Sequence, residues 1–282
     1  HPSEVDATID QISRNPSPAM DLWITDVTWR ESRTEERFKF LVEKGWRVFW
    51  VDHHVIALEK TEPEIRALGL NGWVASKRHS AARLLYDFLM TSADRPGPAP
   101  LRLKQFKKAV LLADDNDRWI HRRKGSRELA LTVASMEAGD AYRELMAVGP
   151  SLRYSPAMQS AFESARNRLA ESIALAGRTL RERTRGALTI VSALCLGYTS
   201  EVADALRRKI QPADKPAVIV LYNLEDQRVS LRRTPSCTLD LAKLAGRFGG
   251  GGHEAASGCD LPEARGKLQE YLLDRISDAL EG

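Results

Sequence analysis

The chain has 282 residues, of which 43% are hydrophobic and 28% charged. That is enough apolar material for sizeable cores and enough length for two domains, and it excludes a disordered chain. A formal net charge of +4 suits an anionic ligand without requiring one, and three cysteines, Cys195, Cys237 and Cys259, without C-x-x-C spacing argue against a disulfide framework or a zinc site. There is no apolar run of membrane-spanning length and no signal-peptide pattern, so the expectation is a cytoplasmic protein that does not contact the membrane.

In chain order, residues 1–6 precede a short helical stretch and are not a strand, and no apolar strand comes before residues 5–9, so His1, Asp6 and Asp10 do not form a strand-borne metal motif. Leu22-Trp23-Ile24-Thr25 reads as a strand ending on Asp26. Ser32-Arg33-Thr34-Glu35 has capping-box spacing, and Phe38, Leu41 and Val42 make an inward stripe before Gly45 closes the helix. Val48-Phe49-Trp50-Val51 is apolar on both faces, as a buried strand of a parallel sheet is, and it stops on Asp52-His53-His54. Thr61-Glu62-Pro63-Glu64 offers a second capping box. Ser80 then starts a helix with Ala81, Leu84, Leu85, Phe88 and Leu89 on one face, His79 is a loop residue before it, and residues 91–100 form a Pro-rich surface loop.

Val110-Leu111-Leu112-Ala113 reads as a third strand, ending in the acid-dense run Asp114-Asp115-Asn116-Asp117. Periodicity does not decide which of these carboxylates faces a ligand. Arg122, Arg123, Lys124 and Arg127 follow, as a solvated helix face or as phosphate contacts. Ser155 and Pro156 open a long helix with an apolar stripe from Met158 to Leu180, residues 181–185 give it a charged exit, and Gly186 opens a second α/β domain. There a helix over residues 200–209, a strong strand over residues 217–222, a hairpin through Glu225-Asp226 and a helix ending at Gly246 precede Gly249-Gly250-Gly251-Gly252-His253. Four successive glycines serve neither helix nor strand stability, and a glycine loop can aim its N–H groups at an anion.

Three apolar strands that all end in acid share one edge if they are parallel, and helical segments between them make that the expected arrangement. The carboxyl edge is where open α/β sheets bind ligands. Carboxylates and imidazoles gathered there repel one another unless a cation sits among them, and an oxygen-rich set with histidine suits Mg²⁺ or Mn²⁺. The plain alternative for an isolated Asp-His-His is a helix cap with locally bonded histidines.

The Asp52-His53-His54 triplet, the acid-tipped strands around it and the later residues 249–258 together resemble the DHH phosphoesterase superfamily with its DHH-associated C-terminal domain. Within that superfamily the layout is most similar to the nanoRNase and oligoribonuclease branch, and less so to RecJ-type exonucleases. The resemblance implies an α/β fold of two domains, an N-terminal parallel-sheet DHH domain over residues 1–150 and a smaller mixed-sheet domain over residues 186–282, joined by a long helix over residues 151–185. It implies two divalent ions, Mn²⁺ or Mg²⁺, held by Asp26, His53 and Asp115, with Asp117 in support and Asp52 orienting His53. His54 would meet the phosphate or leaving group, while Arg232, Gly250, Gly251, Gly252 and His253 grip the terminal nucleotide.

The family's first strand, with H-x-x-x-D-x-D, has no counterpart in this sequence; it either precedes His1 in a longer chain or is lacking. The implied activity is hydrolysis of short RNA or DNA, or related small nucleotides, to 5′-mononucleotides, by a protein that is compatible with a homodimer. The alternatives are a noncatalytic nucleotide-binding protein with a degenerate metal site and a RecJ-like single-strand exonuclease. Inorganic pyrophosphatases of the superfamily lack the glycine-histidine domain and fit less well.

Overall fold

The computed structural model describes residues 2–16, 18–91, 100–210 and 214–261, with residues 266, 267, 270 and 273. Two compact units divide it, residues 1–162 and 163–282. The expected surface loop at residues 91–100 falls almost wholly outside the described residues.

The first unit contains α1 (Pro2–Arg14), β1 (Asp21–Thr25), α2 (Ser32–Glu43), β2 (Arg47–Asp52), α3 (Val55–Glu59), α4 (Glu62–Arg66), β3 (Gly72–Ala75), α5 (Ala81–Thr91), α6 (Pro100–Leu103), α7 (Lys107–Asp117), α8 (Ser126–Ala134) and α9 (Ala138–Ala147), and then the start of α10 (Pro156–Thr179). Strands β1, β2 and β3 form a parallel sheet in that order. Strand β2 is central, and its residues from Val48 to Asp52 are all buried. Val48 and Trp50 face a core with Ile24, Trp29, Phe38 and Leu41. Phe49 stacks on Trp23 at 4.3 Å between centroids, and Phe88 of α5 meets both rings. Apolar contact on both faces is what the uninterrupted Val-Phe-Trp-Val run requires.

Two local expectations for this unit are corrected. Residues 110–113 lie within helix α7, not in a strand. A four-residue apolar run fits either state, and here Ala109 and Leu112, three apart, pack into a helical core with Leu129 and Met158. The residue before α2 is Glu31, whose own side chain makes no cap hydrogen bond. Thr34 instead donates its hydroxyl to Asp6, whose carboxylate also receives the N–H groups of Arg30 (3.1 Å) and Glu31 (3.3 Å). A residue of α1 thus closes the amino end of α2. The box at Thr61 and Glu64 is present in both directions.

The second unit contains the remainder of α10, β4 (Arg181–Arg185), β5 (Leu188–Cys195), α11 (Thr199–Arg207), β6 (Ala217–Asn223), β7 (Arg228–Arg233), α12 (Leu241–Gly246), β8 (Gly251–His253) and β9 (Ala256–Asp260). They form a sheet of order β4-β5-β6-β7-β9-β8 in which only β5 and β6 pair in parallel. The charged segment at residues 181–185 is strand β4, not an exit from the helix. It is exposed along its length and pairs with β5 through a turn at Gly186, whose φ is +60°. An edge strand carries charge because one of its sides faces water. Alternate residues of β6 serve two cores. Ala217, Ile219 and Leu221 pack with Val202 and Leu206 of α11, whereas Val218 packs with Leu241 and Ala245 of α12.

Candidate metal centre

Parallel pairing brings the carboxyl ends of β1, β2 and β3 to one edge, and the polar residues that follow the strands meet there. Asp26, directly after β1, has φ +62° and donates its N–H to Val51 O at 3.0 Å. A left-handed aspartate turns the chain abruptly out of the sheet, a conformation tolerated by Asp at some cost. Its carboxylate reaches His53 Nε2 at 3.2 Å, and Asp117, the last residue of α7, reaches the same nitrogen at 3.4 Å. Asp26, His53 and His54 each offer one donor atom within 4.8 Å of the others.

Asp52 is fully buried. Its Oδ1 accepts the backbone N–H groups of His53 (2.7 Å) and His54 (3.2 Å) and faces His54 Nδ1 at 2.7 Å, while its other oxygen accepts the Thr28 hydroxyl. A carboxylate in this position assigns the proton to Nδ1 of His54 and fixes the ring. The expected pairing is thereby corrected. Asp52 orients His54, and His53 is oriented by Asp26 and Asp117, because successive side chains at a strand end leave in different directions.

The charge balance fits a cation. His53 is raised above the ordinary histidine value by its hydrogen bond to Asp26 and by the charge of Asp117, and His54 by its hydrogen bond to Asp52. Burial alone would raise Asp52, but the His54 ring, the Thr28 hydroxyl and the His54 N–H together hold it below the usual carboxylate range. Asp117 is pushed up, first by burial and then by the negative charges of Asp26 and Asp114, against the pull of the two histidines. Crowded acids with two imidazoles form an oxygen and nitrogen donor set suited to a divalent ion.

Asp115 stands elsewhere. Its carboxylate accepts the N–H groups of Arg122 (3.1 Å) and Arg123 (3.0 Å), which hold it below the usual range although burial would raise it. The position beside His53 that Asp115 was expected to fill is occupied by Asp117. On a helix, residues two apart face different directions, so once residues 107–117 are helical the two aspartates cannot share a role. Asp114, one turn before Asp117, accepts the N–H of Ser80 at 2.7 Å and lies 3.4 Å from His79 Nδ1. It ties the amino end of α5 to α7. Thr28 and the Asp114 to His79 contact carried no local sequence signal.

In the second unit, Arg232 of β7 is fixed by Ser230 Oγ (2.8 Å), Leu231 O (2.9 Å) and Ser200 Oγ (2.9 Å), and burial lowers its pKa. The glycine run is a strand rather than a loop over Gly251, Gly252 and His253, which form the edge strand β8. A Cβ on Gly250 would collide with Gly258 O and fall 2.5 Å from Cys259 Cβ, and Gly252 has φ +138°. Both therefore need glycine for backbone reasons. His253 is exposed, and its carbonyl accepts Ser257 Oγ at 2.6 Å.

No family model matches the chain. Oligoribonuclease NrnB of Bacillus subtilis is 28% identical over 253 residues, a span that covers 86% of this chain and 59% of that relative's length. Among solved structures, the DHH domain of a protein assigned to a family of ribosomal proteins aligns with a TM-score of 0.55 at 12% identity, over 98% of this chain and 74% of that one. The pGpG-specific phosphodiesterase PggH of Vibrio cholerae aligns at 0.47 with 12% identity, over 92% and 99% of the two chains, a score too low to add to the fold assignment. The fold is thus similar to that of a DHH domain.

Proposed function

We propose that the chain is a divalent-metal-dependent phosphodiesterase that hydrolyses short oligonucleotides to 5′-mononucleotides. The observation that carries this reading is the convergence of Asp26, His53, His54 and Asp117 at one sheet edge, in a fold whose curated relative is an oligoribonuclease. Asp26, His53 and Asp117 would hold the ions, two of Mn²⁺ or Mg²⁺. When bound, such ions supply charge neutralisation on a scissile phosphate and a lowered pKa for water.

The chain's own residues divide the remaining work. Asp52 keeps His54 in the Nδ1-protonated tautomer, so the opposite ring nitrogen can meet the phosphate or the leaving oxygen. Asp26, in its strained turn, sets the position of His53. Arg232, Gly250, Gly251, Gly252 and His253 of the second unit hold the nucleotide. A desolvated guanidinium fixed by two serines is pre-shaped for a bidentate phosphate contact, and β8 is the edge strand of the sheet among the described residues. The allocation follows the two units, with chemistry in residues 1–162 and substrate holding in residues 163–282.

The test is a panel of oligonucleotides from two residues upward, incubated with the full-length gene product and Mn²⁺ and resolved by length. The reading expects di- to pentanucleotides to be cleaved faster than long single strands, with 5′-monophosphate products, and Asp26→Asn to be inactive. Processive digestion of long single-stranded DNA at equal or greater rate would contradict it.

A further inference from the structure

Residues 118–123 leave α7 directly after Asp117 in a backbone conformation that is costly for their side chains. Trp119 has φ +55° and His121 φ +53°. A bulky residue in this region is an outlier, and such strain persists only where the surroundings over-determine it. Here they do. The Asp115 carboxylate accepts the N–H groups of Arg122 and Arg123, and its carbonyl accepts those of Ile120 (2.9 Å) and His121 (3.3 Å). The Trp119 N–H goes to Asn116 O at 2.8 Å, and the His121 ring bonds Asn116 Oδ1 at 3.2 Å and Arg127 at 2.8 Å. A buried carboxylate and two neighbouring side chains are thus committed to holding one short loop in shape.

What the loop presents is an indole. Trp29 and Trp50 are buried in the core, but Trp119 keeps 37% of its surface open. It is not loose. His121 packs edge-on against it with centroids 4.4 Å apart, and the Arg127 guanidinium lies 5.6 Å from its ring centre. A cation near an aromatic ring is attracted by its electron-rich face. One residue, Arg118, separates Trp119 from Asp117, whose carboxylate lies 3.4 Å from His53.

We propose that Trp119 is a stacking platform for a nucleobase adjoining the phosphate that is handled at Asp26, His53 and Asp117. The inference rests on the phosphodiesterase reading and adds how the base is recognised. Every base has a π face, so stacking holds oligonucleotides of mixed sequence without reading them, and Arg122 and Arg123 in the same loop supply charge toward the backbone. Asp115 is then a positioning residue for the platform, which explains why an aspartate that stands away from the histidines is buried and fully bonded.

The test uses ligands without a phosphodiester bond, so that binding is read apart from turnover. A nucleoside 5′-monophosphate and ribose 5-phosphate are titrated calorimetrically into the wild type, Trp119→Phe and Trp119→Ala. The wild type is expected to prefer the nucleotide about tenfold, within the range of base stacking on an aromatic side chain. Trp119→Phe should keep most of that preference. Trp119→Ala should reduce nucleotide affinity to that for ribose 5-phosphate, whose own affinity stays unchanged.

A preference that survives in Trp119→Ala, no preference in the wild type, or an equal loss for both ligands would overturn the platform, the last by showing a structural role. Dinucleotide hydrolysis on the same samples separates the two claims. A Trp119-dependent base preference in a protein that cleaves no dinucleotide would support the platform and refute the phosphodiesterase.

Discussion

Replacing Asp52 by Asn tests whether the buried carboxylate organises His54. The side chain keeps its size, and Thr28 can turn its hydroxyl to accept from the new amide nitrogen. The oxygen facing His53 and His54 keeps its place but loses its charge. Three bonds to Oδ1 are weakened, those from the two backbone N–H groups and from the His54 ring. A hydrogen bond to a charged group contributes about 1.5 to 3 kcal/mol against about 1 kcal/mol for a neutral one. Relief from burying a charge offsets part of that difference. The net expected loss is about 1 to 2 kcal/mol, which for a unit of this size is a fall in Tm of about 2 to 8 °C. Removing a partner that orients a site histidine costs about 10- to 100-fold in activity. Differential scanning calorimetry and steady-state dinucleotide hydrolysis read the two effects. A variant as stable and as active as the wild type would refute the role given to Asp52.

Gly250→Ala should destabilise the second unit by at least about 1 to 3 kcal/mol, because its Cβ meets backbone, whereas Gly251→Ala, with nothing within 4 Å, should be close to neutral; thermal melts compare the two. Arg232→Ala should raise KM for a dinucleotide with Mn²⁺ affinity unchanged, and a tenfold loss of Mn²⁺ binding at constant KM would contradict its placement as a substrate residue. Glu35 is raised by burial but held below the ordinary glutamate value overall by Lys60 Nζ at 2.7 Å and Trp29 Nε1 at 3.0 Å. Being a depressed carboxylate, it contributes stability that is full above the ordinary glutamate range and is lost as pH falls through its lower folded value. Glu35→Gln should therefore flatten the acid limb of stability against pH, and an unchanged acid limb in urea titrations would sink this linkage.

What could be read from the sequence was what is local. The Val48 to Val51 run announces a strand buried on both faces, and the triplet at its end falls at the carboxyl edge because parallel pairing leaves no other place for it. Thr61 and Glu64 cap one another over three residues and are found doing so. What could not be read depends on distant partners. The hydroxyl of Thr34 is drawn away from its own helix by Asp6, 28 residues earlier. Residues 110–113 are too short a run to separate strand from helix, and periodicity does not decide between Asp115 and Asp117, which helix α7 sends in different directions. The orientation of His54 by Asp52 depends on side-chain directions at a turning strand end, which a two-residue period does not encode.

The central claim is that a divalent cation is held by Asp26, His53 and Asp117, with Asp115 standing apart from it. Calorimetric titration of Mn²⁺ into the wild type, His53→Ala, Asp117→Asn and Asp115→Asn tests it directly. The account expects binding to be lost in His53→Ala and weakened at least tenfold in Asp117→Asn, while Asp115→Asn binds within a few-fold of the wild type. Loss of binding in Asp115→Asn with wild-type affinity in Asp117→Asn would contradict it.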